Sequence, residues 1–209
     1  AYLNAVAGQD ELVFDGASLV VDAEGQVLAR GPQFREALLA IEIDLDAVVQ
    51  RRLHDPRRRV ELRERDGLTG TELVDLGWPA PVSSHQPGAG PVAPHLCDEE
   101  EVWEALVLGT RDYLAKTGFR QAVVGLSGGI DSALVAAICA DALGPERVHA
   151  VMMPSDYPAA MSIEDAREMA RLMVIDYREI AIRPVFEAFR AQLAPSFAGR
   201  AEDATEENL

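Results

Sequence analysis

The chain has 209 residues, 48% hydrophobic and 26% charged, which suffices for one sizeable core or two small ones. Its formal net charge of −16 argues against nucleic acid or an anionic membrane surface as a partner, since both attract clusters of Lys and Arg. There is no bilayer-spanning apolar run, no signal peptide pattern, and no metal or disulfide pattern at Cys97 and Cys139, so we expect a reduced, cytoplasmic compartment without membrane contact.

The first window, residues 1–56, predicts a small α+β segment. Short strands are indicated at the strand-like YLNAVAG and at Leu12–Phe14, Ser18–Val21 and Val27–Ala29. The last two flank Asp22–Gly25, a typical hairpin turn whose glycine can take a positive φ. Ile41–Leu45 alternates apolar and acidic residues, which predicts another strand, and Asp46 then begins a short helix through Leu53.

Residues 57–97 differ in composition from the preceding window, and their sequence predicts a linker. Repeated prolines and glycines without periodicity, as in Pro87–Pro91, favour an ordered-to-extended connection over a domain. The basic cluster at Arg57–Arg59 is interleaved with acids, which is typical of a solvated surface and not of a binding patch. We therefore place a domain boundary here.

Residues 98–209 predict an α/β domain, because helical and strand-like segments alternate. An acidic turn at Asp98 begins a helix that ends near Lys116, and Ser162 with Asp165 forms a capping box before a later helix. Buried strands are predicted at Gln121–Leu126, Arg147–Met153 and Tyr177–Ile182, and Pro184 opens the helix after the last of them. This order favours a doubly wound parallel sheet that binds ligands at the carboxyl ends of its strands.

The stretch Gln121–Ala142 joins the first of these strands to its helix through a glycine turn. Ser127, Gly128, Gly129 and Ile130 leave room only for a tight turn, whose free N–H groups and helix dipole would face an anion. No Lys follows the glycines, as the Walker pattern requires, and their spacing is not that of the dinucleotide fingerprint. The sequence therefore predicts a phosphate site of another kind.

The polar residues of this turn suit a phosphate chain with a magnesium ion. The hydroxyls of Ser127 and Ser132 can donate hydrogen bonds to phosphate oxygens. Asp131 suits such a site when Mg²⁺ lies between its carboxylate and the phosphates. The hexad from Ser127 to Ser132 resembles the pyrophosphate-binding loop of the ATP pyrophosphatases, which cleave ATP between its α and β phosphates.

Two longer resemblances extend this one. The segments around the loop, GLSGGIDSALVAAICADALG, VMMPSDY, SIEDAREMA and IDYREIAI, together with PVFEAFRAQL and TEENL, resemble the NAD synthetases. The stretch NAVAGQDELVFDGASLVVDAEGQVLARGPQF is similar to the C-terminal third of carbon–nitrogen hydrolase (nitrilase-like) domains. In this order the two point to the glutamine-dependent, two-domain form. The implied domains are a partial nitrilase-like α+β sandwich segment at 1–56 and a Rossmann-like ATP-pyrophosphatase domain at 98–209.

The resemblance implies an ATP-dependent ligase that amidates deamido-NAD to NAD through an adenylate, with ammonia released from glutamine. ATP, deamido-NAD and glutamine would be substrates, and Asp131 would hold Mg²⁺. Asn208 would contact deamido-NAD, and Ser155 and Tyr157 would lie near the adenosine. The ATP-binding residues implied are Gly125, Leu126, Ser127, Gly128, Gly129, Ile130, Asp131 and Ser132.

Some of this family's features differ here or lie outside the chain. Asp156, Pro158 and Val174 depart from the residues usual in the family. The glutaminase Cys, Lys and Glu would precede the hydrolase-like segment, so no catalytic residue is assigned, and both ends read as cut from a longer polypeptide. We expect that polypeptide to form a homo-oligomer, and the isolated chain to be inactive. The alternatives are another ATP-pyrophosphatase amidotransferase, such as GMP synthetase or asparagine synthetase, and a non-catalytic nucleotide-binding module.

Overall fold

The computed structural model describes residues 1–54, 90–154 and 160–197, and the chain divides into two compact units. The first unit comprises Ala1–Val6 and Phe14–Asp98, and the second comprises Ala7–Val13 and Glu99–Leu209. The predicted assignment of residues 1–56 to a hydrolase domain and of 98–209 to a ligase domain stays a prediction. None of the helices within the described residues is long and apolar enough to cross a membrane.

Short strand pairs make up the first part of the chain. Strands β1 (Val6–Gln9) and β2 (Leu12–Asp15) form one two-stranded sheet, and β3 (Leu19–Val21) and β4 (Val27–Arg30) form an antiparallel one. The predicted hairpin turn between β3 and β4 is confirmed. The Asp22 carboxylate accepts hydrogen bonds from the Glu24 and Gln26 amides at 2.9 and 2.8 Å, and Gly25 has φ 86°. Local side-chain bonding and one glycine therefore suffice to close this hairpin.

The described end of the predicted linker, residues 90–97, is ordered against β4. The Gly90 amide donates to the Leu28 carbonyl at 2.9 Å, the Arg30 amide donates to the Pro91 carbonyl at 3.0 Å, and Val92 forms a parallel bridge with Arg30. This segment is extended and satisfies the free backbone groups of β4. The preceding linker residues lie outside the described part of the chain.

The predicted strand at Ile41–Leu45 is wrong. Residues 41–44 have no regular structure, and helix α1 (Leu45–His54) begins where that strand was expected to end. A strand needs a neighbouring backbone to satisfy its polar groups, and the alternation of apolar and acidic residues does not supply one. The predicted helix from Asp46 to Leu53 is confirmed within one residue at each end.

The second unit alternates helices and strands in the predicted order. Its regular elements are α2 (Asp98–Thr117), β5 (Ala122–Gly125), α3 (Ile130–Leu143), β6 (Val148–Met152), α4 (Ala160–Met173), β7 (Asp176–Glu179) and α5 (Arg183–Leu193). Short 3₁₀ turns, Pro145–Arg147 and Ala194–Phe197, follow α3 and α5. Pro184 lies in the first turn of α5, as expected from its fixed φ and missing amide hydrogen.

The three strands form a parallel sheet in the order β5-β6-β7. Leu126 and Val148 are the largest fully buried side chains of the described residues, and they pack with Ala136, Ala166 and Ala170 from α3 and α4. Small residues on both helices let them approach the sheet closely. In the described sheet each successive strand is added on the same side, in the order β5-β6-β7. A doubly wound sheet also has strands on the other side of its first strand, and that feature stays a prediction.

The predicted capping box at Ser162 and Asp165 is wrong. Helix α4 already contains Ala160 and Met161, so Ser162 lies inside the helix and does not cap it. The Ser-x-x-acid pattern is compatible with a helix interior as well as with a helix start, and only the backbone path of the preceding residues distinguishes the two.

Candidate functional site

The glycine turn predicted from the sequence lies at the carboxyl end of β5 and leads directly into α3. The Leu126 amide donates to the Val151 carbonyl at 2.9 Å, which continues the pairing of β5 with β6 to the edge of the loop. The Leu126 side chain is 1% exposed and belongs to the hydrophobic core, so it supports the loop from beneath. The residues from Ser127 onward leave the core and form the exposed turn.

Gly128 is constrained both by its backbone conformation and by a close neighbour. Its φ is +83°, and a Cβ at this position would collide with the backbone carbonyl of Ser162 in α4. Any other residue would therefore meet both the strain of the left-handed region and a backbone that cannot rotate away. This collision explains why the loop needs glycine at this position.

The start of α3 has the character of an anion site. Gly129 is the N-cap residue, with φ −89° and ψ 160°, and no side-chain hydrogen bond caps the helix there. The first amides of a helix lack intrahelical acceptors, and the helix dipole adds partial positive charge at the same end. Their exposure beside the loop is the arrangement in which helix N-termini bind phosphate.

The two serine hydroxyls bond to each other and to the loop backbone. Ser132 Oγ accepts the Ser127 amide at 3.1 Å, lies 3.0 Å from Ser127 Oγ, and donates to the Gly129 carbonyl at 2.9 Å. Ser127 Oγ also accepts the Gly129 amide, at 3.3 Å. These bonds hold the turn in shape, and this role of the hydroxyls was not predicted from the sequence.

Asp131 is exposed in the first turn of α3, where the helix dipole favours a negative charge. The described residues contain no group of three or more His, Cys, Asp or Glu that could hold a metal ion by themselves. A single exposed carboxylate still fits Mg²⁺, which commonly binds one or two carboxylates and completes its shell with phosphate oxygens and water. The donor set at this loop therefore fits magnesium that arrives with a phosphate ligand.

An ion pair lies at the same carboxyl edge of the sheet. Arg167 of α4 donates two hydrogen bonds to Glu179 Oε1, at 2.7 and 3.2 Å, and Glu179 ends β7 opposite Met152. The hydrogen bonds from Arg167 hold the pKa of the Glu179 carboxyl below its usual value. Glu179 therefore stays ionised but paired, and adds little unbalanced negative charge at the edge that would receive an anion.

A large cavity at the other end of β5 is a weaker candidate. It has a volume of about 1240 Å³ and is lined by Arg111, Arg120, Arg147, Phe119 and Val123 among others. Arg111 already donates to the Ala142 and Asp141 carbonyls at the end of α3, and Arg147 pairs with Glu146 at 3.5 Å. Arg111 and Arg147 thus bind the protein's own groups, and the amino ends of strands are not where ligands bind in open parallel sheets.

The comparison with protein families finds a match in the region that contains the glycine turn. The family model named NAD synthase matches residues 102–209. The chain belongs to the NAD synthase family.

Named relatives of this NAD synthase family member cover the whole chain. It is 45% identical over 210 residues to the glutamine-dependent NAD(+) synthetase of Thermotoga maritima, and 38% identical over 209 residues to that of Aquifex aeolicus. Each match covers 100% of this chain but only 35% and 36% of the relative, so the chain spans about a third of their length.

One solved structure is similar to this chain. This is the glutamine-dependent NAD+ synthetase from Acinetobacter baumannii in complex with adenosine diphosphate, which superposes with a TM-score of 0.77 at 36% identity. It covers 100% of this chain, which in turn covers 32% of that structure. The match supports the α/β architecture with its parallel sheet.

The eight predicted loop residues, Gly125–Ser132, form the end of β5, the turn after it and the first residues of α3 in this NAD synthase family member. Other predicted positions, Ser155, Tyr157 and Asn208 with the departures Asp156 and Pro158, lie outside the described residues. The contact of Gly128 with Ser162 was missed from the sequence. A glycine in a motif signals crowding or a positive φ, but it does not identify the backbone that it must avoid.

Proposed function

We propose that this chain is part of a ligase that amidates deamido-NAD to NAD with ATP, through an adenylated intermediate, using ammonia from glutamine. The nicotinate carboxylate attacks the α-phosphate of ATP, pyrophosphate leaves, and ammonia then displaces AMP from the carbonyl carbon. The observation that carries the proposal is the exposed Ser127–Ser132 turn, with its open helix start, inside the region that matches the NAD synthase family.

The chain's own residues would act mainly by holding the pyrophosphate in position. The amides at the start of α3 would stabilise charge that develops on the leaving pyrophosphate, as preorganised donors do. Gly128 lets the loop pass close to the backbone of α4, while the serine hydroxyls keep its shape. Asp131 would hold Mg²⁺, which would supply positive charge to neutralise the phosphates.

Three further features belong to the same proposal. We infer that the first segment is part of a nitrilase-like glutaminase domain, whose Cys, Lys and Glu lie in the longer protein. We also infer that the parallel sheet β5-β6-β7 is part of a doubly wound sheet in the longer protein, with a further strand on the free side of β5. The longer protein is proposed to be a cytoplasmic homo-oligomer. Analytical ultracentrifugation of the longer protein tests its assembly state.

The test is calorimetric titration of ATP with and without Mg²⁺ into the chain and into Asp131→Ala. We expect binding that requires Mg²⁺ and weakens at least about tenfold in the variant, because a metal-bridging carboxylate is lost. Glu101→Ala, which removes an exposed acid from α2, is the matched control and should bind as the wild type does. Equal binding by Asp131→Ala would contradict the assigned magnesium site.

The reaction itself is tested in the longer protein with ATP, deamido-NAD and either glutamine or ammonium. We expect formation of NAD, AMP and pyrophosphate in equal amounts. Release of ADP and phosphate in place of AMP and pyrophosphate would overturn the adenylate mechanism. Amidation of a different carboxylate or nucleotide would instead favour another ATP-pyrophosphatase amidotransferase.

A further inference from the structure

The β1–β2 turn, taken as residues Ala7–Val13 and so including Gly8 and Gln9 at the end of β1, is bound by side chains of helix α2. Within the second unit the Gly8 amide donates to Asp112 Oδ2 at 2.8 Å, and Lys116 Nζ donates to the Gly8 carbonyl. Lys116 Nζ also donates to Gln9 Oε1, at 3.0 Å. Both polar groups of one backbone residue are thus bound by two charged side chains of a helix that is distant in sequence.

The backbones of the turn and the helix also approach each other closely. A Cβ on Gly8 would lie 2.8 Å from Gly109 Cα, and a Cβ on Gly109 would lie 3.4 Å from Val13 Cγ2. Gly8 is buried although it lies in a four-residue strand next to a surface turn. Gly8 faces Gly109 here, and it is the absence of a side chain on Gly8 that makes room for the backbone of the helix.

The geometry of α2 explains how two side chains bind one residue. Asp112 and Lys116 are four residues apart and therefore lie on the same face of the helix, one turn from each other. The acid accepts the Gly8 amide and the amine donates to the Gly8 carbonyl, and such charge-assisted hydrogen bonds are stronger than neutral ones. Lys116 is the only lysine of the chain.

The turn and the helix that binds it lie in parts of the sequence that resemble two different protein families. Ala7–Val13 lies in the stretch similar to carbon–nitrogen hydrolases, whereas Asp112 and Lys116 lie within residues 102–209, which match the NAD synthase family. Helix α2 ends at Thr117, and β5 with its glycine turn follows after four residues, 118–121. A hydrolase-like turn is therefore held by the helix that leads directly to the candidate phosphate site.

We propose that Asp112 and Lys116 are positioning residues that anchor the turn Ala7–Val13 to α2, and that this anchoring serves the transfer of nitrogen from glutamine. The role in nitrogen transfer rests on the proposed function, whereas the anchoring rests only on the hydrogen bonds of Asp112 and Lys116 to the turn. Neither residue touches the reacting atoms in this assignment. Their loss should leave the chemistry at the Ser127–Ser132 turn intact.

Hydrogen exchange of the Gly8 amide tests the anchoring in the 209-residue chain. We expect exchange at least about tenfold faster in Asp112→Ala than in the wild type, since a charge-assisted acceptor is lost. Acylation of Lys116 by an amine-reactive ester should accelerate in the same variant, and peptide mass separates this site from the amino terminus. Glu101→Ala should change neither rate. Unchanged exchange and acylation in Asp112→Ala would overturn the anchoring, and Lys116→Gln provides the exchange test should Asp112→Ala not fold.

The functional half is tested in the longer protein by comparing two nitrogen donors. With Asp112→Ala or Lys116→Gln we expect NAD formation from glutamine to fall about tenfold while the rate with ammonium stays within about twofold of wild type. Equal losses with both donors, or none with either, would overturn the role in nitrogen transfer. A wild-type protein that makes no NAD from either donor contradicts the proposed function instead, and the Gly8 exchange rate still decides the anchoring.

Discussion

Gly128 and Val174 are two residues of the second unit with a left-handed backbone, and they differ in what surrounds them. Gly128, between β5 and α3, has φ +83° and faces the backbone of α4. Val174, between α4 and β7, has φ +57° and a side chain that is 75% exposed. The first turn admits glycine alone, whereas the second accepts a β-branched residue in an unfavourable conformation.

The surroundings explain the difference. At Val174 the chain closes α4 with a Schellman pattern, in which the Ile175 amide donates to the Ala170 carbonyl and the Val174 amide donates to the Arg171 carbonyl, at 3.1 and 3.3 Å. Strain there lowers stability but obstructs nothing. At Gly128 a side chain would displace the loop itself. Strain without collision is tolerable, whereas collision at the loop would alter the site.

The largest effect is expected from Gly128→Ala. We expect a loss of at least about 2 kcal/mol in the free energy of unfolding and at least about 100-fold weaker ATP binding, because conformational strain and a backbone collision act together. Denaturant unfolding and calorimetry measure the two quantities. Gly25→Ala is the matched control, since Gly25 has φ +86° with nothing within 4 Å of a Cβ. Similar effects at both glycines would show that the collision with α4 has no role.

Ser132→Ala comes next, because it removes the hydroxyl at the centre of the loop. Three polar groups lose a partner, and we expect about 1–2 kcal/mol of stability and about tenfold in ATP affinity to be lost. Ser132→Thr keeps the oxygen and should restore most of both. Should Thr bind ATP as poorly as Ala does, the hydroxyl network would not be what shapes the loop.

Val174→Gly, in contrast, is expected to increase the free energy of unfolding. Relief of the left-handed strain should raise the free energy of unfolding by about 1 kcal/mol, part of the gain being offset by the greater entropy of glycine in the unfolded chain. Denaturant unfolding measures the change, and Val174→Ala should gain less because it keeps a Cβ. ATP affinity should not change in either variant. Destabilisation by glycine would mean that the Val174 side chain makes contacts that outweigh its strain.

The smallest effect concerns a surface pair on β6 and β7. The hydrogen bond from His149 Nδ1 to Asp176, at 2.9 Å, is the main cause that lowers the pKa of the Asp176 carboxyl, and Arg178 adds to it. A lowered carboxyl pKa stabilises the fold above the unfolded value, and this stabilisation is lost as the pH falls through the folded value, below about pH 4. Urea unfolding from pH 6 to pH 3 should therefore be less pH-dependent in His149→Phe, and an unchanged profile would contradict the assignment.

Local patterns predicted much of the second unit. The apolar runs at β5 and β6, the glycine turn at residues 127–130 and the proline at α5 specify their elements through neighbours a few residues away, and the structure confirms each. The Asp22–Gly25 hairpin is of the same kind, because its hydrogen bonds join residues at most four apart. Patterns failed at Ile41–Leu45 and Ser162, where a strand partner and the path of the preceding backbone decide the conformation.

The sequence by itself determined that a strand, a glycine turn and a helix with an open start follow one another, because propensity, chirality and spacing act over a few residues. It also indicated Asp131 as the carboxylate beside the turn. Only the tertiary structure decided that the Ser162 carbonyl crowds Gly128 and that Asp112 and Lys116 bind Gly8. Those contacts join residues 34 and 104 or more positions apart, and their geometry depends on how whole elements pack.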